Sequence, residues 1–280
     1  MQRFDKRRKN IRRGVIVAVI AVVVFGSGAL LFSGGKTATT TTTTTTSASA
    51  TTSTTSATTT TSSGSTSTTT ANTTANTVAL TQKQANAKAV AAGCPASTST
   101  RVNTKTWTKA PAMTINKSKT YYADFATTAG NFVVKLDAAT APISTNNFVF
   151  LARHNYYKCV IFHRAIPGFM IQGGDPTGTG SGGPGYTIAD EYPKAGNPTY
   201  PLYSIAMANT GTPHTGGSQF FIVTGTTGET LLPAYSLFGQ VVSGLNAVKM
   251  IQNAGNPSQT ANGEPPLVTH RILNVTIKVQ

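Results

Sequence analysis

The residues best suited to chemistry fall in two short segments. The first is FHRAIPGFMIQGGD, residues 162–175, which sets Arg164 and Gln172 among apolar side chains. Alternate residues of a half-buried strand share a face, so Met170 and Gln172 are expected as neighbours. An Arg in such a strand is costly unless it is paired or lines a cleft. A surface ion pair and a cleft-lining donor are both open to Arg164. The second segment runs from MANTG, residues 207–211, into GGSQFFI, residues 216–222, so that Gly-rich loops lead into an aromatic strand. Its plain reading is turn chemistry plus a core Phe pair.

Other chemistries fail on local grounds. GTGSGG at 178–183 matches the spacing of a dinucleotide-binding turn. That turn must open a helix, and here Pro184 and Gly185 follow at once. Ser218 is not in a nucleophile elbow, because Phe220 stands where the second glycine is needed. His163 and His214 are too few for a zinc site and are read as structural. With 4 His and 8 acidic residues in 280, a metal cluster is not expected. Two cysteines exclude a disulfide scaffold and a four-ligand zinc ribbon.

The formal charge of +15 is unevenly spread. Residues 1–13 carry +6, residues 14–100 carry +3 and residues 101–280 carry +6. The high pI is largely a property of the tail. A basic tail can bind nucleic acid, but its sequel argues against that partner. Residues 15–32, VIVAVIAVVVFGSGALLF, hold no charge over 18 positions. A bilayer core needs roughly 20 apolar residues in a helix. We therefore expect a transmembrane anchor over 14–33, with the basic tail 1–13 cytoplasmic by the positive-inside rule. The competing reading is a cleaved signal peptide, with Ser27-Gly28-Ala29 as its small-residue site. No cysteine follows the run, which excludes a lipoprotein anchor. Within 37–77, 32 of 41 residues are Ser or Thr. Such a segment cannot bury enough surface to offset its ordering entropy, and residues 34–100 are read as a disordered low-complexity linker.

Aromatic residues and strand-like alternation return over 101–280. Residues 121–126 and 131–136 flank Thr127-Thr128-Ala129-Gly130, a hairpin signal. Pro142 opens a helical stretch with Phe148, Leu151 and Ala152 on one face. Short strands are expected at 160–165, 169–172, 203–208, 219–223 and 237–242, a second helix at 244–252 and a closing strand at 271–279. This mainly β pattern predicts a closed eight-stranded antiparallel barrel capped by two α-helices, a closure that removes exposed edges.

FHRAIPGFMIQGGD and SQFFI, with AMAN between them and LFG after them, resemble the signature of cyclophilin-type peptidyl-prolyl isomerases. The resemblance covers about residues 118–280. With its N-terminal run, the chain is similar to a membrane-anchored, bacterial-like member. The resemblance implies an eight-stranded barrel with two helices, and a site carried over position by position. Arg164 is the catalytic Arg. Phe169 and Met170 are the apolar pocket pair, and Gln172 is the polar positioning residue. Ala208 and Asn209 clamp the substrate backbone, while Phe221 and Leu231 close the pocket. Tyr235 occupies the family's common His position. Many members carry Trp before the pocket Leu; Thr230 stands there instead, and the only Trp is Trp107. This departure implies weaker cyclosporin binding.

The implied reaction is rotation about X-Pro bonds, against a barrier of about 18–20 kcal/mol set by amide resonance. No bond is made or broken, so no cofactor is expected. The implied partners are proline-containing polypeptides, with the membrane bound through the N-terminal helix, and the chain is expected to be monomeric. The expected location is the cell membrane, single-pass, with the catalytic domain extracytoplasmic. A tethered peptide-binding module with negligible turnover is the alternative. An extracytoplasmic site permits a Cys94–Cys159 disulfide; two free thiols fit the sequence equally well.

Overall fold

The computed structural model describes residues 79–196 and 198–280. The expected tail 1–13, anchor 14–33 and the linker up to residue 78 lie outside them. The described elements are α1 (Gln82–Ala91), β1 (Tyr121–Thr127), β2 (Gly130–Leu136), α2 (Pro142–Arg153), β3 (Arg164–Ile166), β4 (Met170–Gly173), β5 (Ser204–Met207), β6 (Phe220–Val223), α3 (Thr226–Glu229), β7 (Leu237–Ser243), α4 (Leu245–Asn253) and β8 (Ile272–Val279). No helix among the described residues is long and apolar enough to cross a membrane.

The strands form one antiparallel sheet in the order β3-β4-β6-β5-β7-β2-β1-β8. Period-two alternation folds it. On β1, Tyr121, Ala123 and Phe125 are buried while their neighbours are half-buried. On β2, Phe132, Val134 and Leu136 are buried while Asn131 and Lys135 are exposed. Thr127 pairs with Gly130 across a two-residue turn, and Gly130 adopts φ 117°, a conformation that favours glycine. Phe125 stacks on Phe132 at 4.5 Å, and Phe148 of α2 stacks on Tyr157 at 4.9 Å. Fully burying one such ring contributes about 1.5–3 kcal/mol. α2 packs on β7 and β8, and α4 on β2, β3 and β4. These are the two expected capping helices.

Three expectations are corrected. The barrel is not fully closed. The two ends of the sheet, β3 and β8, share no ladder; the chain near them meets only at an isolated bridge, Ile161 with Arg271. The reason lies in the loop 255–263, which covers β3 instead: Ala165 N–H donates to Gly263 O at 3.1 Å, and Asn256 N–H donates to Ala165 O at 3.1 Å. The strand expected at 160–165 shrinks to Arg164–Ile166, because residues 160–162 meet residues 270–272 at a single bridge and not in a ladder.

The linker expected over 34–100 does not run to residue 100. Residues 82–91 are helical, opened by a capping box in which Thr81 Oγ1 accepts from Gln84 N–H at 3.3 Å and Gln84 Oε1 accepts from Thr81 N–H at 2.9 Å. The face of α1 that is buried consists of Ala85 and Ala89 alone, so it carries no apolar stripe to read. Its side-chain dock is Gln82, which exchanges hydrogen bonds with the backbone of Thr269. Just beyond α1, a disulfide joins Cys94 to Cys159, with Cα atoms 5.4 Å apart.

Candidate active site

β4, β5 and β6 are buried along their whole length, so both faces of this part of the sheet are covered. One face, carrying Ala165, Ile171, Ile205 and Ile222, packs into the main core. The opposite face builds a second apolar cluster from Phe169, Met170, Tyr200, Ala206, Ala208, Phe221, Val223, Leu231 and Tyr235. The strand register makes this cluster. Arg164 lies opposite Gln172, Gln172 opposite Phe221 and Phe221 opposite Ala206, forming one row across β3, β4, β6 and β5. The row two residues along is Ile166, Met170 and Val223. A period of two puts both rows on the same face.

The β3–β4 turn sets Phe169. Pro167 and Gly168 lie between the strands, Gly168 takes φ 76°, and Phe169 N–H donates to Ile166 O at 3.1 Å. Pro followed by a positive-φ Gly is the chemistry of a type II turn. Phe221 meets Tyr235 edge-on, with centroids 5.2 Å apart. Tyr235 is held in turn by Tyr200. The Tyr200 hydroxyl donates to Tyr235 O at 2.9 Å and accepts from Tyr235 N–H at 2.9 Å. Burial pushes the Tyr200 phenol up to about 12, against the bonds it makes to Tyr235 and Ala234.

Arg164 is 3% exposed, which removes the surface ion-pair reading. Its Nε donates to Asn262 O at 2.9 Å, Nη2 to Asn262 Oδ1 at 2.7 Å and Nη1 to Gln172 Oε1 at 3.3 Å. Gln172 Nε2 donates to Gln219 Oε1 at 3.0 Å, and Gln219 Nε2 to the carbonyls of Gly180 and Gly182 at 2.8 and 3.0 Å. The 178–183 run is thus the far end of a polar chain that starts at Arg164. Asp175 shapes that run by accepting from the N–H groups of Thr177, Thr179 and Gly182. Burial alone would raise the Asp175 carboxyl; the bonds from Thr177 and Gly182 hold it below its ordinary value. Burial lowers the Arg164 pKa, and the carboxylate of Glu264 opposes that shift.

Every residue expected at the site is therefore near the cup or on its polar edge. Phe169, Met170, Ala208, Phe221, Leu231 and Tyr235 share the apolar cluster, and Arg164 and Gln172 share a hydrogen bond. Asn209 is half-buried next to Ala208, and its Nδ2 donates to Ala234 O at 2.9 Å. Thr230 ends α3, with its hydroxyl donating to Thr227 O at 2.8 Å. Trp107 packs elsewhere, against Phe150 and Tyr186. Sequence reasoning missed Asn262, Tyr200 and Gln219. Gln219 sits inside the SQFFI motif, and its polarity next to two core Phe residues is the one signal that marks it. Among the described residues, no group of three or more His, Cys, Asp or Glu could hold a metal.

The family model described as cyclophilin type peptidyl-prolyl cis-trans isomerase matches residues 122–277. This chain belongs to that family. It is 42% identical over 156 residues to peptidyl-prolyl cis-trans isomerase-like 1 of Emericella nidulans, covering 55% of this chain and 92% of that one. It is 38% identical over 167 residues to peptidyl-prolyl cis-trans isomerase A of Mycobacterium tuberculosis, covering 54% and 90%. Against peptidyl-prolyl cis-trans isomerase CYP65 of Arabidopsis thaliana it is 40% identical over 146 residues, which span 49% of this chain and only 23% of that larger protein.

Proposed function

We propose that this protein catalyses cis–trans rotation of X-Pro bonds in polypeptides. The observation that carries the reading is the row in which Arg164, fixed by Asn262 and Gln172, lies on the same sheet face as the cup of Met170 and Phe221. In this reading Phe169, Met170, Phe221 and Leu231 hold the proline ring, and Ala208 and Asn209 hold the flanking backbone. As the amide twists, it loses conjugation, and the nitrogen lone pair becomes a better acceptor. A guanidinium fixed beside it donates more strongly to that state than to the planar one. Such differential binding lowers the barrier without a covalent step. The test is cis–trans interconversion of an Ala-Pro peptide with and without the full chain. Acceleration proportional to enzyme concentration supports the reading, and an unchanged rate overturns it.

We further propose that residues 14–33 anchor the chain in the cell membrane, with the isomerase domain outside the cytoplasm and the Ser/Thr-rich segment as its stalk. The charge-free run at 15–32 behind a basic tail supports this. So does the Cys94–Cys159 disulfide, a bond suited to oxidising compartments. Protease added to intact cells or spheroplasts is expected to release the domain; full protection would overturn the assignment.

A further inference from the structure

Beside the proline cup lies a second cleft of about 560 Å³. One wall is Ala195, Gly196, Pro198 and Thr199; the other is α3 and the turn after it, through Pro233. Leu231 belongs to both depressions, packing in the cup cluster and lining the cleft. The cleft therefore continues the cup surface rather than opening elsewhere on the molecule. Its chemistry is mixed. Pro198, Leu232 and Pro233 give apolar walls, and Leu232 is half exposed. Among the described residues that line it, Glu229 is the only charged side chain.

Glu229 is half-buried, and its Oε1 accepts from Leu202 N–H at 3.2 Å. That bond fixes the carboxylate in place and leaves it acceptor sites for a further donor. Among the described residues no cation pairs with it: the ion pairs are His214 with Asp190 and Lys278 with Asp124. A half-buried carboxylate costs desolvation that a counter-charge would offset. A Lys or Arg side chain matches the whole cleft. Its methylene stem can lie along Leu231, Leu232 and the two prolines while its charged head reaches Glu229, as long basic side chains do on apolar surfaces.

We propose that this cleft is a subsite that selects a basic side chain within two residues of the proline. The proposal rests on the isomerase reading above and deepens it by naming a substrate class.

The test uses the full chain and a series of Ala-Pro peptides with Ala, Arg or Glu at each of the two positions on either side. At one position Arg is expected to raise kcat/KM about fivefold over Ala, and Glu to lower it. Added salt should shrink the difference. Glu229→Gln keeps an oxygen for Leu202 N–H, so turnover of the all-Ala peptide should be unchanged while the Arg preference disappears. Equal rates for Arg, Ala and Glu at every position would overturn the proposal, as would a preference that survives in Glu229→Gln. If no peptide is turned over, it is the isomerase reading that fails. Equilibrium binding of the same peptides then decides the subsite: an Arg preference lost in Glu229→Gln upholds it, and equal binding overturns it.

Discussion

Arg164 and its carrier Asn262 separate a catalytic role from a structural one. If Arg164 donates to the prolyl nitrogen mainly as the amide twists, Arg164→Ala should lose at least about 10²-fold in kcat/KM, or roughly 2.7 kcal/mol of transition-state stabilisation. Arg164→Lys should recover little, because a point charge lacks the planar fork that reaches Asn262 and Gln172 together. Near-normal turnover in a folded Arg164→Lys protein would remove the guanidinium from the mechanism. Asn262 is a positioning residue. It sits at φ 52°, so Asn262→Gly keeps the backbone geometry and removes the side-chain amide, and with it the Oδ1 that accepts from Arg164. That loss is worth about 1–2 kcal/mol of Arg164 alignment. It should appear as a kcat about 5–30-fold lower with KM nearly unchanged. A rise in KM at constant kcat would show instead that Asn262 serves ground-state binding.

At the level of elements, α1 is attached to the sheet by few groups: two alanines, Gln82 and the Cys94–Cys159 bond. The disulfide closes a 65-residue loop, which the loop-entropy model values at about 4 kcal/mol. Reduction, or Cys94→Ser with Cys159→Ser, should lower Tm and should also release the amides of Gln82–Ala91 to hydrogen exchange before the sheet opens. Unchanged protection of α1 after reduction would show that Gln82 and the alanines suffice. The start of β8 offers the opposite case. Arg271 is 1% exposed, and none of its three guanidinium nitrogens has a partner among the described residues. A buried charge without a partner opposes folding. Arg271→Met, of similar length, is therefore expected to stabilise by roughly 1–3 kcal/mol in urea titration; a loss of stability would mean the cation is compensated.

Across the whole molecule, acid should weaken the fold before it touches the chemistry. Burial pushes His163 down to about 4 from 6.5, and His270 likewise to about 4. Both are easier to protonate in the unfolded chain, so their contribution is fully present above about pH 6.5 and is lost as pH falls toward 4. A loss of roughly 3 kcal/mol for each ring, about 6 kcal/mol for the two, corresponds to about 10–20 °C in Tm over that window. A flat Tm from pH 7 to 4.5 would show that neither ring is held neutral. Much of this architecture is legible in the sequence, because alternation exposes β1, β2, β7 and β8, and Pro142 marks α2. The apolar run at 160–162 imitates a strand, but it meets residues 270–272, about 110 positions later, at a single isolated bridge, which no local pattern records. α1 hides because alanine carries no periodic signal. At the site, the motif residues stand in two dense segments and can be read directly. Asn262 lies 98 positions from Arg164, and Tyr200 35 from Tyr235. Both are loop residues whose roles exist only once the sheet has formed.

The Cys94–Cys159 bond also changes how the molecule carries tension. Pull on residue 79 and on the C-terminus, and force runs along α1, crosses from Cys94 to Cys159 and enters the chain five residues before Arg164. The β1–β2 hairpin and α2 lie within the bypassed loop. In an oxidised molecule about 220 Å of contour length is thereby locked away, at roughly 3.4 Å for each of 65 residues. Stretching in a force spectrometer should release that length only after a reductant is added. The strand that bears Arg164 is then among the first parts of the sheet to feel a pull from the N-terminal side.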